Sequence, residues 1–305
     1  MDKKTITKSI KDLKDKNNAV ILSHNYQIPE IQDIADFVGD SLDLAMKVTK
    51  TDAENIVFCG VDFMAESAKI LNPDKNVIHP DPKAKCPMAA MVDAESLTVL
   101  KNEHPLAKVV SYINTSAEVK ALSDICCTSS NGTKIIRTLA AKEIIFAPDR
   151  NLGRYIQRTI QDKKMILWPG ICPTHHNILK REILELKKKH PGAEILVHPE
   201  CTLEVIDVAD HAFSTNGMVN YSKQSDVKEF IIGTEKDICH RLKKESPNKI
   251  FYALKSAICP NMKKITLEKV LNSLKTLEPN VKLPDELMEM AKKPLQRMMD
   301  VGRGD

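Results

Sequence analysis

Three stretches of this chain carry the same landmarks at the same spacing. An apolar run rich in branched residues reaches polar groups at His24 (Val20-Ile21-Leu22-Ser23-His24), at Tyr112 (Lys108-Val109-Val110-Ser111-Tyr112) and at His198 (Glu194-Ile195-Leu196-Val197-His198). Twelve residues on stand Asp36, Asp124 and Asp210, and five further on stand Ser41, Ser129 and Thr215. A second apolar run ends at Phe58, Phe146 and Ile232, each 22 residues after its Asp. A third run follows at Val77-Ile78, Met165-Ile166-Leu167 and Ile250-Phe251-Tyr252, and then a Cys-Pro pair. The pairs are Cys86-Pro87, Cys172-Pro173 and Cys259-Pro260, at intervals of 86 and 87 residues. Each stretch closes on a helical pattern and a proline, at Pro105, Pro191 and Pro279. Self-similarity at a fixed period marks a repeated structural unit.

The repeat constrains the fold. Short branched apolar runs read as buried strands, and between them lie helical patterns. Strands alternating with helices imply parallel sheets joined by right-handed crossovers. The expected architecture is α/β: three pseudo-threefold-related αβα domains at residues 1–105, 106–191 and 192–280, with parallel sheets around one centre. Residues 281–305 are expected to form a C-terminal tail with one helix, from Asp285 to Met299. Ligands of parallel α/β sheets bind beyond the carboxyl ends of the strands. Three sheets turned toward one axis would therefore place a site at its centre.

The same alignment nominates the lining of that centre. Residues two apart on an extended chain face one side, so His24 with Tyr26, Tyr112 with Asn114, and His198 with Glu200 each present two polar groups to a common cavity. Ser41, Ser129 and Thr215 are expected to begin the second helix of each unit, at positions suited to N-caps. A hydroxyl there, with free backbone N–H groups, suits a carboxylate or phosphate. Glu200 is the only carboxylate in the strand-end set, which suits it to accept and return a proton.

Three of the eight cysteines precede a proline, one in each repeat. Three thiolates meeting near an axis leave one corner of a four-iron cluster without a protein ligand, and cluster irons take cysteine thiolates. An iron with an open position would act as a Lewis acid on hydroxyl, carbonyl or carboxylate groups. Zinc sites prefer ligands close in sequence; His175 and His176, just after Cys172, leave a Cys3His zinc site as the alternative. Cys126-Cys127 and Cys201 have no counterparts in the other units and read as bystanders.

Composition narrows the classes that remain. With 42% apolar and 28% charged residues over 305 positions, the chain is an ordinary globular protein. A net charge of +4 and only 4% aromatics, with no recognisable reader motif, argue against a nucleic-acid partner. No apolar stretch reaches the roughly 20 residues that span a bilayer, and the charged amino terminus has no apolar leader core. The expectation is a cytoplasmic protein with no membrane partner. There, cysteines serve as metal ligands or thiols rather than as structural disulfides.

Several segments together resemble quinolinate synthase, the family of NAD biosynthesis. They are Ser23-His24-Asn25-Tyr26-Gln27, Phe58 to Glu66, Asp81-Pro82 ahead of Cys86-Pro87-Met88-Ala89, Trp168 to Cys172, His198-Pro199-Glu200-Cys201 and Gly233-Thr234-Glu235. The resemblance spans nearly the whole chain in order. It implies three αβα domains around one 4Fe–4S cluster held by Cys86, Cys172 and Cys259. It implies condensation of iminoaspartate with dihydroxyacetone phosphate to quinolinate, releasing phosphate and water. It further implies substrate binding by His24, Ser41, Tyr112, Asn114, Ser129 and Thr215, with Met64 lining the cavity. Tyr26 and Glu200 are then expected to shuttle protons and His198 to orient or polarise the intermediate. After Cys172 this chain reads Pro-Thr-His-His, with Pro173 where some members have histidine; His175 fits the family's Cys-x-x-His pattern and is assigned no catalytic role. A functional link to an oxidase or dehydrogenase that supplies iminoaspartate is expected. Two other readings stay open: a different open-iron hydro-lyase, and a non-enzymatic iron or redox sensor.

Overall fold

The computed structural model describes residues 2–305. Three four-stranded sheets share one topology. The first holds β1 (Ala19–His24), β2 (Phe37–Gly39), β3 (Asn55–Cys59) and β4 (Asn76–Ile78) in the order β2-β1-β3-β4. The second holds β5 (Lys108–Tyr112), β6 (Ile125–Cys127), β7 (Glu143–Ala147) and β8 (Lys164–Leu167) as β6-β5-β7-β8. The third holds β9 (Glu194–Val197), β10 (His211–Ala212), β11 (Glu229–Gly233) and β12 (Ile250–Ala253) as β10-β9-β11-β12. Every neighbouring pair is parallel, and helices fill the crossovers. The fold is α/β, with three repeated αβα units.

Each unit has one strand more than the apolar runs foretell. The extra strands, β2, β6 and β10, lie at sheet edges and are two or three residues long, too short to show an alternating pattern. The aspartate landmark explains how they are set. Asp36 accepts the Ile21 N–H at 2.8 Å through its side chain and returns its own N–H to the Ile21 carbonyl at 2.9 Å. Asp124 does the same with Val109, and Asp210 with Ile195, at side-chain distances of 2.8 Å. One carboxylate thus satisfies a strand amide just before the edge strand begins.

Side chains alternate between two faces of each sheet. Leu22, Phe58, Val110, Phe146, Leu196 and Phe230 belong to one hydrophobic cluster shared by all three units. Ile21, Val57 and Ile78 enter a second cluster; Val109 and Ile145 a third; Ile195 and Ile231 a fourth. Each of these outer clusters is sealed by the helix that ends another unit. The helix Ala94–Glu103 brings Leu97 onto the second sheet, Lys180–Lys189 brings Ile183 onto the third, and Leu267–Thr276 brings Val270, Leu271 and Leu274 back onto the first. The amino-terminal helix Lys3–Lys16 adds Ile6 and Ile10 beside that last group. Burying a side chain of this size stabilises by about 1.5–3 kcal/mol, so the three units are sealed to one another in a ring.

The C-terminal helix runs Asp285–Val301, two residues beyond the expected Met299. It packs Met288, Ala291, Leu295 and Met298 into the shared cluster and lies against the helix Ala117–Ala121 and β6. Cys126 and Cys127, on β6, are fully buried. Among the described residues no helix is long and apolar enough to cross a membrane.

Candidate active site

The carboxyl ends of β1, β5 and β9 converge on one cavity. Its wall contains His24, Tyr26, Ser41, Met64, Tyr112, Asn114, Ser129, His198, Glu200 and Thr215 together with Cys86, Cys172 and Cys259. Every side chain nominated from the sequence is therefore brought to one place. Residues from all three units contribute, as a site on the axis of a repeat requires.

Two histidines repeat one local arrangement. The Nδ1 of His24 accepts the Tyr26 N–H at 3.2 Å, and the Nδ1 of His198 accepts the Glu200 N–H at 3.3 Å. Burial pushes His24 down to about 4 and His198 to about 3, against a partial upward pull from nearby carboxylates. Both rings are thus neutral at neutral pH, with the proton on Nε2. The Nε2–H of His198 then donates to Ser129 Oγ at 3.1 Å. Tyr26 and Tyr112 are buried and pushed well above the usual tyrosine value, first by burial and then by the charge of Glu200.

Glu200 is the electrostatic centre. It is buried, not a surface residue. Burial alone would push its carboxyl up, but His175 and His198, with hydrogen bonds from His175 and Tyr112, hold it well below the usual range. Tyr112 Oη donates to one carboxylate oxygen at 2.5 Å, and His175 Nδ1 reaches the other at 2.6 Å. Charge-assisted bonds of this kind are the strong ones.

His175, to which the sequence assigns no catalytic role, is bound into the site together with Thr234. His175 stands between Glu200 and Cys172, whose Sγ lies 3.1 Å from its Nδ1. Its Nε2 lies 2.8 Å from the Thr234 hydroxyl, which is 2.5 Å from Tyr26 Oη. His176 points elsewhere, to Asn151. One donor atom each from Cys172, His175 and Glu200 lie within 4.8 Å of one another, close enough to hold a metal ion.

Two of the three expected helix starts hold, but the capping residues differ. Ser41 and Thr215 are the first residues of their helices, and the capping side chains are those of Asp40, accepting the Asp43 N–H at 2.9 Å, and Ser214, accepting the Gly217 N–H at 3.1 Å. Ser129 does not begin a helix at all; Asn131 occupies the cap position of Gly132–Thr138. In the first and third units a short polar residue sits just ahead of the expected cap and takes the capping role; in the second, Asn131 lies two residues past Ser129 and its side chain makes no capping bond. The three cavity hydroxyls are thereby released from capping. Thr215 accepts from Asn25 at 2.7 Å.

Cys86, Cys172 and Cys259 are free thiols, partly buried at the cavity wall. Burial pushes Cys86 up to about 12 and raises the other two, and Cys86 with Cys259, like Cys172 with Cys86, stand close enough for their charges to repel. Each backbone amide is met by a buried or half-buried carboxylate. Asp62 accepts the Cys86 N–H at 2.9 Å and Glu235 accepts the Cys259 N–H at 3.4 Å, while the Cys172 N–H faces Asp149. Three soft, unbridged sulfur donors on three rigid units suit an iron–sulfur cluster better than a hard cation.

Comparison with known proteins agrees with this geometry. The model of the family described as quinolinate synthetase A protein matches residues 8–300. The quinolinate synthase of Thermodesulfovibrio yellowstonii is 52% identical over 288 residues, which cover 94% of this chain and 95% of that protein. Quinolinate synthase 1 of Methanosarcina acetivorans is 51% identical over 303 residues, 99% of each chain. The quinolinate synthase of Sulfurihydrogenibium sp. is 49% identical over 307 residues, 99% of this chain and all of that one. Near-complete coverage at this identity, with one three-unit cavity behind it, makes this chain an enzyme that belongs to the quinolinate synthetase A family.

Proposed function

We propose that this enzyme is a quinolinate synthase that condenses iminoaspartate with dihydroxyacetone phosphate, releasing phosphate and water, in the de novo biosynthesis of NAD. The observation that carries the reading is the convergence of three thiols and ten further nominated side chains, drawn from all three units, on one cavity. Cys86, Cys172 and Cys259 would hold one 4Fe–4S cluster. When bound, the cluster supplies Lewis acidity at the iron that has no protein ligand.

The chain's own residues supply the rest. Ser41, Ser129 and Thr215 stand at or just before helix starts, where N–H groups favour anions, and would bind the substrates' carboxylates and phosphate. Asn114 and Tyr112 would fix orientation by hydrogen bonds. His24 and His198, neutral and carrying their protons on Nε2, are donors toward carbonyl oxygens rather than counter-charges. Glu200 is ionised and can accept a proton; buried Tyr26 is protonated and can give one. The apolar side of the wall, with Val61, Phe63, Met64 and Met88, limits water around a hydrolysable imine. An iminoaspartate-producing oxidase or dehydrogenase is the natural supplier of the first substrate.

The direct test is to purify the protein without oxygen, measure iron and acid-labile sulfide, add both substrates and assay quinolinate by mass. About four of each per chain with quinolinate formed supports the reading. A loaded cluster with no quinolinate overturns it and leaves a different hydro-lyase or a sensor.

A further inference from the structure

The last four residues lie directly behind the cavity and touch every unit. Arg303 Nη1 donates to Asp40 Oδ2 at 2.8 Å and Asp43 Oδ1 at 3.1 Å, both in the first unit. Its Nη2 donates to Ser214 Oγ at 2.9 Å in the third unit and to Asp305 Oδ1 at 3.0 Å. Asp305 Oδ2 accepts the Ser214 N–H at 3.0 Å. In the second unit, the Gly304 N–H donates to the Ser130 carbonyl at 2.9 Å and Asn131 Nδ2 donates to the Gly302 carbonyl at 3.1 Å.

The residues touched are those next to the cavity hydroxyls. Asp40 precedes Ser41, Ser130 follows Ser129, and Ser214 precedes Thr215. Asp40, Asn131 and Ser214 are also the cap residues of the three helices concerned. The approach is close: a Cβ on Gly304 would fall 2.7 Å from the Ser130 carbonyl oxygen, so only glycine fits there. A planar guanidinium can bridge two carboxylates and a hydroxyl at once, which an ammonium on a flexible stem does not do in one fixed geometry.

We propose that Arg303 is a positioning residue for the anion-binding wall: through the segment 302–305 it ties the helix starts of the three units together and so sets the relative placement of Ser41, Ser129 and Thr215. The inference deepens the proposed function, because it rests on these hydroxyls binding the substrates' anionic groups. Arg303 does not line the cavity itself, so its effect is exerted through the caps. Loosening them costs substrate binding more than the chemical steps.

The test uses the full, cluster-loaded enzyme with Arg303→Met, Arg303→Lys and a deletion of residues 302–305. Amide hydrogen exchange is followed at 40–43, 128–131 and 214–217, with iron content, KM for dihydroxyacetone phosphate and kcat. The expected result is faster exchange at all three segments together, unchanged iron, and a KM raised roughly tenfold with kcat little changed, the pattern of lost uniform binding. Lysine should not rescue. Adding the free tetrapeptide Gly-Arg-Gly-Asp should restore KM in the deletion variant. Exchange changes confined to the tail, or an unaltered KM beside a lowered melting temperature, would overturn the proposal. If the unmodified enzyme makes no quinolinate, the function reading fails, and the exchange data alone decide whether Arg303 couples the three units.

Discussion

Replacing Tyr112 by phenylalanine isolates a single hydrogen bond at the centre of the site. The side chain is buried, with 5% of its surface exposed, and phenylalanine keeps the ring and its packing. What disappears is the 2.5 Å bond from Tyr112 Oη to Glu200 Oε1. The other carboxylate oxygen keeps His175 at 2.6 Å. Hydrogen bonds to charged groups contribute about 1.5–3 kcal/mol when their partner is buried. The bond favours the ionised carboxylate, so its loss must raise the Glu200 pKa, and at 1.36 kcal/mol per unit the rise is about one to two units. Two measurements follow. Denaturant unfolding of the cluster-free protein at pH 7 should show a loss of about 1.5–3 kcal/mol. Glu200 itself, followed by its carboxylate stretch in an isotope-edited infrared titration, should protonate at a pH about one to two units higher. Lost stability with an unmoved Glu200 titration would show that the Tyr112 bond does not favour the ionised carboxylate. No change in either quantity would refute the electrostatic account of Glu200 altogether.

Other perturbations probe different parts of the molecule. Single substitutions Cys86→Ser, Cys172→Ser and Cys259→Ser should each reduce iron and sulfide from about four per chain to well under one, with the melting temperature of the cluster-free protein unchanged. Zinc without sulfide in the unmodified protein would exclude the cluster. Burial lowers His24 to about 4 from an ordinary value of 6.5. As pH falls below 6.5 the unfolded chain takes up this proton first, so stability drops between about pH 6.5 and 4, by on the order of 3 kcal/mol; unfolding of His24→Asn should show a smaller slope over that window. Leu274→Ala removes a fully buried side chain between the last repeat and the first sheet and should cost about 2–5 kcal/mol by denaturant unfolding. A loss under about 1 kcal/mol would contradict the ring of helix contacts, given that range.

The strand-end residues were legible because two periods overlap there. The sequence pairs His24 with Tyr26 by strand alternation; in the structure β1 ends at His24 and Tyr26 sits in the following turn, yet the long repeat still brings the equivalent pairs to the same cavity. The short edge strands leave no such trace. The caps were off by one or two positions because Thr128-Ser129-Ser130-Asn131 offers four residues able to cap, and spacing alone does not choose among them. His175 carried a signal in its three-residue distance from Cys172, one helical turn, but its link to Glu200 crosses units. The carboxylates Asp62, Asp149 and Glu235 precede their cysteines by 24, 23 and 24 residues, a regularity readable once the repeat is aligned through its loops. Arg303 was out of reach: Asp40 and Ser214, which it joins, lie far apart in the chain, and nothing local marks any of the three.

The ring of sealing helices sets an order for synthesis. The helix Ala94–Glu103 is made before the second sheet, and Lys180–Lys189 before the third, so those sheets emerge with their cover already present. The first sheet is complete at Ile78, yet Val270, Leu271 and Leu274 come almost 200 residues later. At typical translation rates that is roughly 10–40 s. During this interval only the helices Lys3–Lys16 and Pro29–Ile34, with Ile31, are available to shield Ile21, Val57 and Ile78, and the nascent chain offers a ribosome-associated chaperone an apolar sheet face that the finished protein hides.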